Sequence, residues 1–360
     1  MSVNATLRLC NRSTILDKRT AFSNSISRRG FLGAGATVAG AIALSRTVSA
    51  AVQAISTDNS DGPGAVADKF LFPQFRQSFI KTSGATINTL VGGSGPPLLL
   101  LHGHPETHIT WHKVAPALAR QFTVVLTDLR GYGDSSKPDG GPNHINYSKR
   151  EMANDQVEVM RALNFNKFMV AGHDRGARVI ARMIVDHPDK VERAAVLDIA
   201  PTDRMYAQTN QEFATRYFWW FFHIQPAPLP EVMIQANPEV YLRAHLDAQS
   251  RTAGAVTAEA FSEYLRCYNL PNSIHAVCED YRAGATIDIE QTRADNGRKA
   301  TVPLLALWGA KGTVGQLFDV MELWQQEAQN VAGHSLPCGH LLPEEDPNGV
   351  LSALKEFFVA

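Results

Sequence analysis

The sequence predicts an α/β protein: a mostly parallel, doubly wound sheet with a helical cap domain inserted before its last strands. Three observations carry this expectation. Apolar runs such as Leu98 to Leu101, Phe168 to Val170 and Val302 to Leu307 are continuous rather than alternating, as strands buried on both faces must be. Helical stretches alternate with these runs, which calls for crossover connections between parallel strands. From Pro201 to about Lys299 the pattern changes to aromatic-rich helices with prolines, a segment too long to be a loop between two strands.

Composition bounds the function. With 44% hydrophobic and 19% charged residues, the 360-residue chain reads as a globular enzyme able to bury a full core. The net charge of -1 conceals an asymmetry, because seven of the 34 basic residues but only one of the 35 acidic ones fall within residues 1–50, which leaves the remainder at -7. No basic patch suggests a nucleic-acid partner.

The basic end reads as a targeting segment. Ser27-Arg28-Arg29-Gly30-Phe31-Leu32 resembles a twin-arginine export signal, followed by an apolar Gly/Ala-rich run from Gly30 to Leu44 and a small-x-small site at Val48-Ser49-Ala50. That run is shorter than the roughly 20 apolar residues a membrane span needs, so stable membrane insertion is not expected. The reading implies a signal peptide over 1–50, passage through the twin-arginine export machinery, and a periplasmic location. Residues 51–68 read as a polar, Gly/Pro-containing linker without a fold of its own. Cys267, Cys278 and Cys338 follow it, an odd number with no metal spacing, and they carry no catalytic role. The sequence is compatible with a homodimer.

The folded part divides into a first core segment over 69–200, the cap over 201–300 and a second core segment over 301–360. Two strands, around Phe75 to Ile80 and Ala85 to Val91, open the core. The third, Pro97 to Leu101, runs into His102-Gly103-His104-Pro105, a loop whose main chain suits an oxyanion hole, with the N–H of His104 as the expected donor. His102, His104, His108 and His112 include ligand spacings, but Pro105 interrupts the geometry, so packing and loop hydrogen bonding are the expected roles and no metal is assigned. After a helix over Val114 to Arg120 and a strand over Phe122 to Leu126, Asp128-Leu129-Arg130-Gly131-Tyr132-Gly133-Asp134-Ser135 reads as an architectural turn. A helix from Lys149 to Leu163 follows.

Val170-Ala171-Gly172-His173-Asp174-Arg175-Gly176-Ala177-Arg178 then has the form of a nucleophile elbow, a tight strand-to-helix turn with Gly at its crowded flanks. Its reactive residue is Asp174. An ionised aspartate can displace a leaving group from saturated carbon unaided, whereas a serine needs a base. The next strand ends in Asp198, and the glycine-histidine loop after the final strand contains His340. Nucleophile, acid and histidine therefore stand in the chain order of an α/β-hydrolase. A last helix, Asn348 to Phe358, closes the chain.

These motifs, with Gln225-Pro226-Ala227-Pro228-Leu229-Pro230-Glu231 and Cys278-Glu279-Asp280-Tyr281-Arg282-Ala283-Gly284, resemble the haloacetate dehalogenases, the α/β-hydrolase family that includes fluoroacetate dehalogenases. The resemblance runs from about Phe75 to the C-terminus. It implies an α/β-hydrolase fold, a small carboxylate substrate and no cofactor. Asp174 attacks the α-carbon, and His340, oriented by Asp198, then activates water against the ester, with main-chain N–H groups near His104 and Arg175 as the oxyanion hole. Arg175, where Asp-nucleophile epoxide hydrolases usually carry Trp, is its most informative position. A carboxylate about 4 Å from an ionised Asp is repelled by roughly 4 kcal/mol at an effective dielectric of about 20. Arg175 and Arg178, three apart on one helix face, are expected to offset this and to hold the substrate carboxylate bidentately.

The resemblance also places Trp220 and Tyr281 in a halide pocket, with Trp219 beside them where the fluoroacetate pattern has His. That change removes a polar donor, so chloro- or bromoacetate is the expected substrate. An epoxide hydrolase would use the same triad with two cap tyrosines. A non-catalytic carboxylate-binding protein would have no need of the triad. For the export signal, Arg28→Lys together with Arg29→Lys is expected to leave the protein in the cytoplasm on cell fractionation, and unchanged periplasmic accumulation would contradict it.

Overall fold

The computed structural model describes residues 71–359. The signal peptide and linker readings lie outside these residues. Eight strands form one sheet: β1 (Arg76–Lys81), β2 (Thr86–Gly93), β3 (Pro97–Leu101), β4 (Thr123–Thr127), β5 (Phe168–His173), β6 (Val191–Leu197), β7 (Leu304–Gly309) and β8 (Val331–Leu336). Their order is β1-β2-β4-β3-β5-β6-β7-β8. The pairs β1–β2 and β2–β4 are antiparallel and every other pair is parallel.

The continuous apolar runs have the expected physical cause. Leu99 and Leu101 of β3 join one hydrophobic cluster while Leu98 and Leu100 join another, so the period-2 alternation of a strand sends both sets into a core. All six residues of β5 are buried. The elbow helix (Asp174–Asp186) packs Val179, Ile180 and Met183 into the first cluster, and the last helix (Pro347–Val359) puts Val350, Leu354 and Phe358 into the second. The helix expected over Val114 to Arg120 contracts to Ala115–Leu118, which opens with a proline in its first turn and gives way to the loop before β4.

Among the described residues, eight helices between Thr202 and Ala294 lie between β6 and β7 in the chain. No described helix is long and apolar enough to cross a membrane. Since β3, β5, β6 and β7 run parallel, their carboxyl ends gather at one edge, where a crevice for a ligand arises in open α/β sheets. The loops leaving β3, β5, β6 and β8 carry His104, Asp174, Asp198 and His340.

Candidate active site

The elbow forces Asp174 into the left-handed region at φ +44°. For a non-glycine residue this costs about 1–2 kcal/mol, and such strain survives only where the surroundings overdetermine it. Here they do. A Cβ on Gly176 would sit 2.5 Å from the His102 carbonyl oxygen, and one on Gly103 would sit 2.6 Å from Asp174 Cβ, so only glycines let the turn and the β3 loop close on each other. The Gly176 N–H donates to that His102 carbonyl at 2.9 Å.

The carboxylate of Asp174 is then divided between two roles. Its Oδ1 accepts from the His104 main-chain N–H at 3.0 Å. Its Oδ2 lies 3.7 Å from His340 Nε2. The opposite nitrogen, His340 Nδ1, donates to Asp198 Oδ2 at 2.5 Å, and Asp198 Oδ1 accepts from the Gly309 N–H at 2.7 Å. Asp174, Asp198 and His340 thus meet from three strand ends, with Asp198 itself at φ +51°. The main-chain N–H of Arg175 makes no hydrogen bond to the Asp174 carboxylate among the described residues.

Asp174 is 3% exposed. Burial alone would raise its pKa, but His340, Arg178, His173 and Arg175 together hold it below the ordinary value, so its carboxylate is ionised. His173 supplies part of that field in an unusual way. Its Nδ1 faces Glu106 Oε2 at 2.8 Å and its Nε2 faces the His340 carbonyl at 2.7 Å. Both partners are acceptors, so both ring nitrogens carry protons and His173 is an imidazolium. Burial opposes this, and the Glu106 carboxylate overrides it, lifting the pKa to about 9.

Arg175 and Arg178 stand beside Asp174, but the protein engages most of their donors. Arg175 Nε and Nη2 form a fork onto the Asp280 carboxylate at 2.7 and 2.9 Å, and Nη2 also reaches the Asp280 carbonyl. Its Nη1 makes no hydrogen bond among the described residues. Arg178 Nη1 bonds the Ala200 carbonyl and Thr202 Oγ1, Nη2 reaches Met205 Sδ, and its buried Nε has no partner. Each arginine is therefore partly engaged by the protein, so only part of each guanidinium is open for the carboxylate grip expected from the sequence. Both N–H groups of Arg175 Nη1 remain, as do the Nε–H and one Nη2 N–H of Arg178.

Aromatic rings from the cap line the rest. The Arg175 guanidinium lies 4.2 Å from the Tyr281 ring centre and that of Arg178 lies 4.6 Å from Trp220. The Tyr281 hydroxyl is 3.3 Å from His104 Nδ1, while Trp220 Nε1 and the Tyr217 hydroxyl are buried without partners. Trp219 packs against His245 with ring centres 4.3 Å apart. Of the other histidines in the β3 loop, His102 donates to the Gly103 carbonyl and accepts from the Leu129 N–H, and His108 binds Asp128. Asp128 also accepts from Asn88 and the Asp134 N–H, which gives its turn the architectural role read from the sequence.

The sequence profile of the α/β hydrolase fold matches residues 96–347. The chain belongs to this family. It is 44% identical over 288 residues to a fluoroacetate dehalogenase of Burkholderia sp, covering 80% of this chain and 95% of that protein. It is 36% identical over 283 residues to a soluble epoxide hydrolase of Corynebacterium sp. strain C12, covering 77% and 94%. The crystal structure of ALR0039 from Nostoc sp PCC 7120 superposes with a TM-score of 0.79 at 55% identity, covering 80% of this chain and 99% of that one.

Several groups in this hydrolase site escaped the sequence reading. Asp280, fully buried, receives Arg175, the Lys149 ammonium and the Tyr132 hydroxyl. Glu106 and His173 flank two residues already singled out, so proximity to His104 and Asp174 was their only signal. His223 and His245 come from cap helices, with no motif around them. The Glu106–His173 pair yields a prediction. Because the folded-state pKa of His173 is raised from 6.5 to about 9, its contribution is complete below pH 6.5 and fades as pH rises through 9. Glu106→Gln leaves the buried ring without its anion and is expected to cost about 3 kcal/mol near pH 6. Thermal denaturation of both proteins should show that gap narrowing toward pH 9, and a pH-independent gap would contradict the pairing.

Proposed function

We propose that this hydrolase removes halide from a short 2-haloacid such as a haloacetate, giving the 2-hydroxy acid through an aspartyl-ester intermediate. The observation that carries the reading is the pair of cationic donors left open beside an ionised nucleophile, Arg175 Nη1 and the unpartnered, buried Arg178 Nε. A neutral substrate gives them nothing to neutralise, whereas a carboxylate offers one oxygen to each. Asp280 fixes Arg175 while it does so.

The division of the carboxylate orders the steps. With Oδ1 held by the His104 N–H, Oδ2 is the attacking oxygen; it bonds the α-carbon as the carbon–halogen bond breaks and its electron pair leaves on the halide. His340 Nε2, on the same side, next takes a proton from water, which attacks Cγ of Asp174. Negative charge develops on Oδ1, already opposite a main-chain donor. Asp198 holds the His340 tautomer with Nε2 free and stabilises the imidazolium that forms. Collapse releases the hydroxy acid and restores Asp174.

Similarity to a fluoroacetate dehalogenase supports the reading, and similarity to an epoxide hydrolase names its competitor. Tyr281 with the unpartnered Tyr217 hydroxyl, whose ring centre is 6.3 Å from that of His340, is the pair an epoxide would use. We further propose periplasmic action after export through residues 1–50.

Halide release from chloroacetate and fluoroacetate, measured beside turnover of styrene oxide, separates the two chemistries. Halide release is expected, and Asp174→Ala should lower it by at least about 10³-fold. Styrene oxide turnover with no halide from either acid would overturn the dehalogenase reading.

A further inference from the structure

The cap places two buried histidines that the triad does not use, His223, which bonds the Tyr241 hydroxyl, and His245. His245, on the helix Pro238–Gln249, is 3% exposed, and neither of its ring nitrogens has a hydrogen-bond partner. A buried polar ring left wholly unpaired is unfavourable and rare in folded proteins, so its N–H is open to a ligand. The ring stands at the active site. The ring centre of His245 is 4.7 Å from that of His104, whose main chain holds Asp174, and 4.3 Å from that of Trp219. The negative charge of Asp174 reaches it.

The ring is neutral. Burial, more than any neighbouring charge, pushes its pKa down to about 3. A neutral imidazole offers one N–H donor without adding charge. A departing halide needs such donors as the carbon–halogen electron pair moves onto it, and Trp220 Nε1, on the residue after Trp219 and with its ring against Arg178, is a second buried donor left open. Trp219 stands where the fluoroacetate pattern has a donor histidine, and the residue packed against its ring is itself a histidine from another helix.

We propose that His245 donates a hydrogen bond to the departing halide and sets which halogens the enzyme accepts. This rests on the dehalogenase reading above. In the step concerned, Asp174 Oδ2 bonds the α-carbon, the halogen leaves with the bonding pair, and His245 keeps its proton throughout.

The test compares wild type, His245→Phe and His245→Gln on fluoro-, chloro- and bromoacetate. Phenylalanine keeps a ring against Trp219 but has no donor, and glutamine restores an N–H. The strongest acceptor should suffer most, with kcat/KM for His245→Phe falling about 100-fold for fluoride release, about tenfold for chloride and less for bromide, and with part of each loss recovered in His245→Gln. If the wild type acts only on the chloro and bromo acids, the same ordering is expected between those two. Equal losses on every halide, or no loss with halide release intact, would overturn the role of His245 alone. A wild type that releases no halide from any of the three acids would overturn the dehalogenase reading and this role with it. Tryptophan fluorescence quenching by added chloride and bromide gives a readout apart from turnover: weaker halide binding in His245→Phe than in wild type is expected, and equal affinity would contradict the contact.

Discussion

The buried ion pair between Arg175 and Asp280 joins the two halves on which the site depends. Arg175 belongs to the first turn of the elbow helix, and Asp280 lies mid-way along the cap helix Ser273–Ala285. The fork at 2.7 and 2.9 Å, with Lys149 and the Tyr132 hydroxyl converging on the same carboxylate, locks the cap onto the core one residue from the nucleophile. Removing one partner of such a pair strands a charge away from water and typically costs about 3–5 kcal/mol. Tyr281, the next residue, is thereby laid against the guanidinium and above His104. The anchoring of the cap and the placement of Arg175 beside Asp174 thus share one interaction.

Around that anchor the site solves a second electrostatic problem, keeping a carboxylate ionised where water scarcely reaches. Asp174 does so with four positive or polarised neighbours: His340, Arg178, His173 and Arg175. The His173 imidazolium is the least obvious of them. Held by Glu106 on one side and by the His340 carbonyl on the other, it also ties the nucleophile turn to the histidine loop, so the charge that lowers the Asp174 pKa helps position the base. A site this rich in positive potential is suited to an anionic substrate, and the remaining open donors on Arg175 and Arg178 fit that chemistry.

Much of the fold was legible because its signals are local. Strands buried on both faces must be apolar throughout, and the elbow advertises itself through glycines that a Cβ would displace, so β3, β5 and the positions of Asp174, Asp198 and His340 could be read along the chain. The cap was legible only as a length of helix. Which of its residues face the site depends on how eight short helices fold back, and no period or motif encodes that; Asp280 and His245 emerged only in three dimensions. The same limit explains the arginines. Three-residue spacing put Arg175 and Arg178 on one face but could not reveal that Asp280 takes one edge of Arg175 and that Ala200 and Thr202 take Nη1 of Arg178. The reading of Trp219 as a lost donor likewise compared positions in sequence, which could not reveal that its ring packs against His245 from another helix.

In the proposed reaction Asp174, rather than water, attacks carbon. A single turnover of excess enzyme on chloroacetate in water labelled with oxygen-18, followed by mass analysis of the glycolate and of the peptide containing Asp174, tests it directly. Attack by Asp174 predicts unlabelled glycolate and one labelled oxygen in the Asp174 carboxylate, whereas labelled glycolate with an unlabelled Asp174 would contradict it.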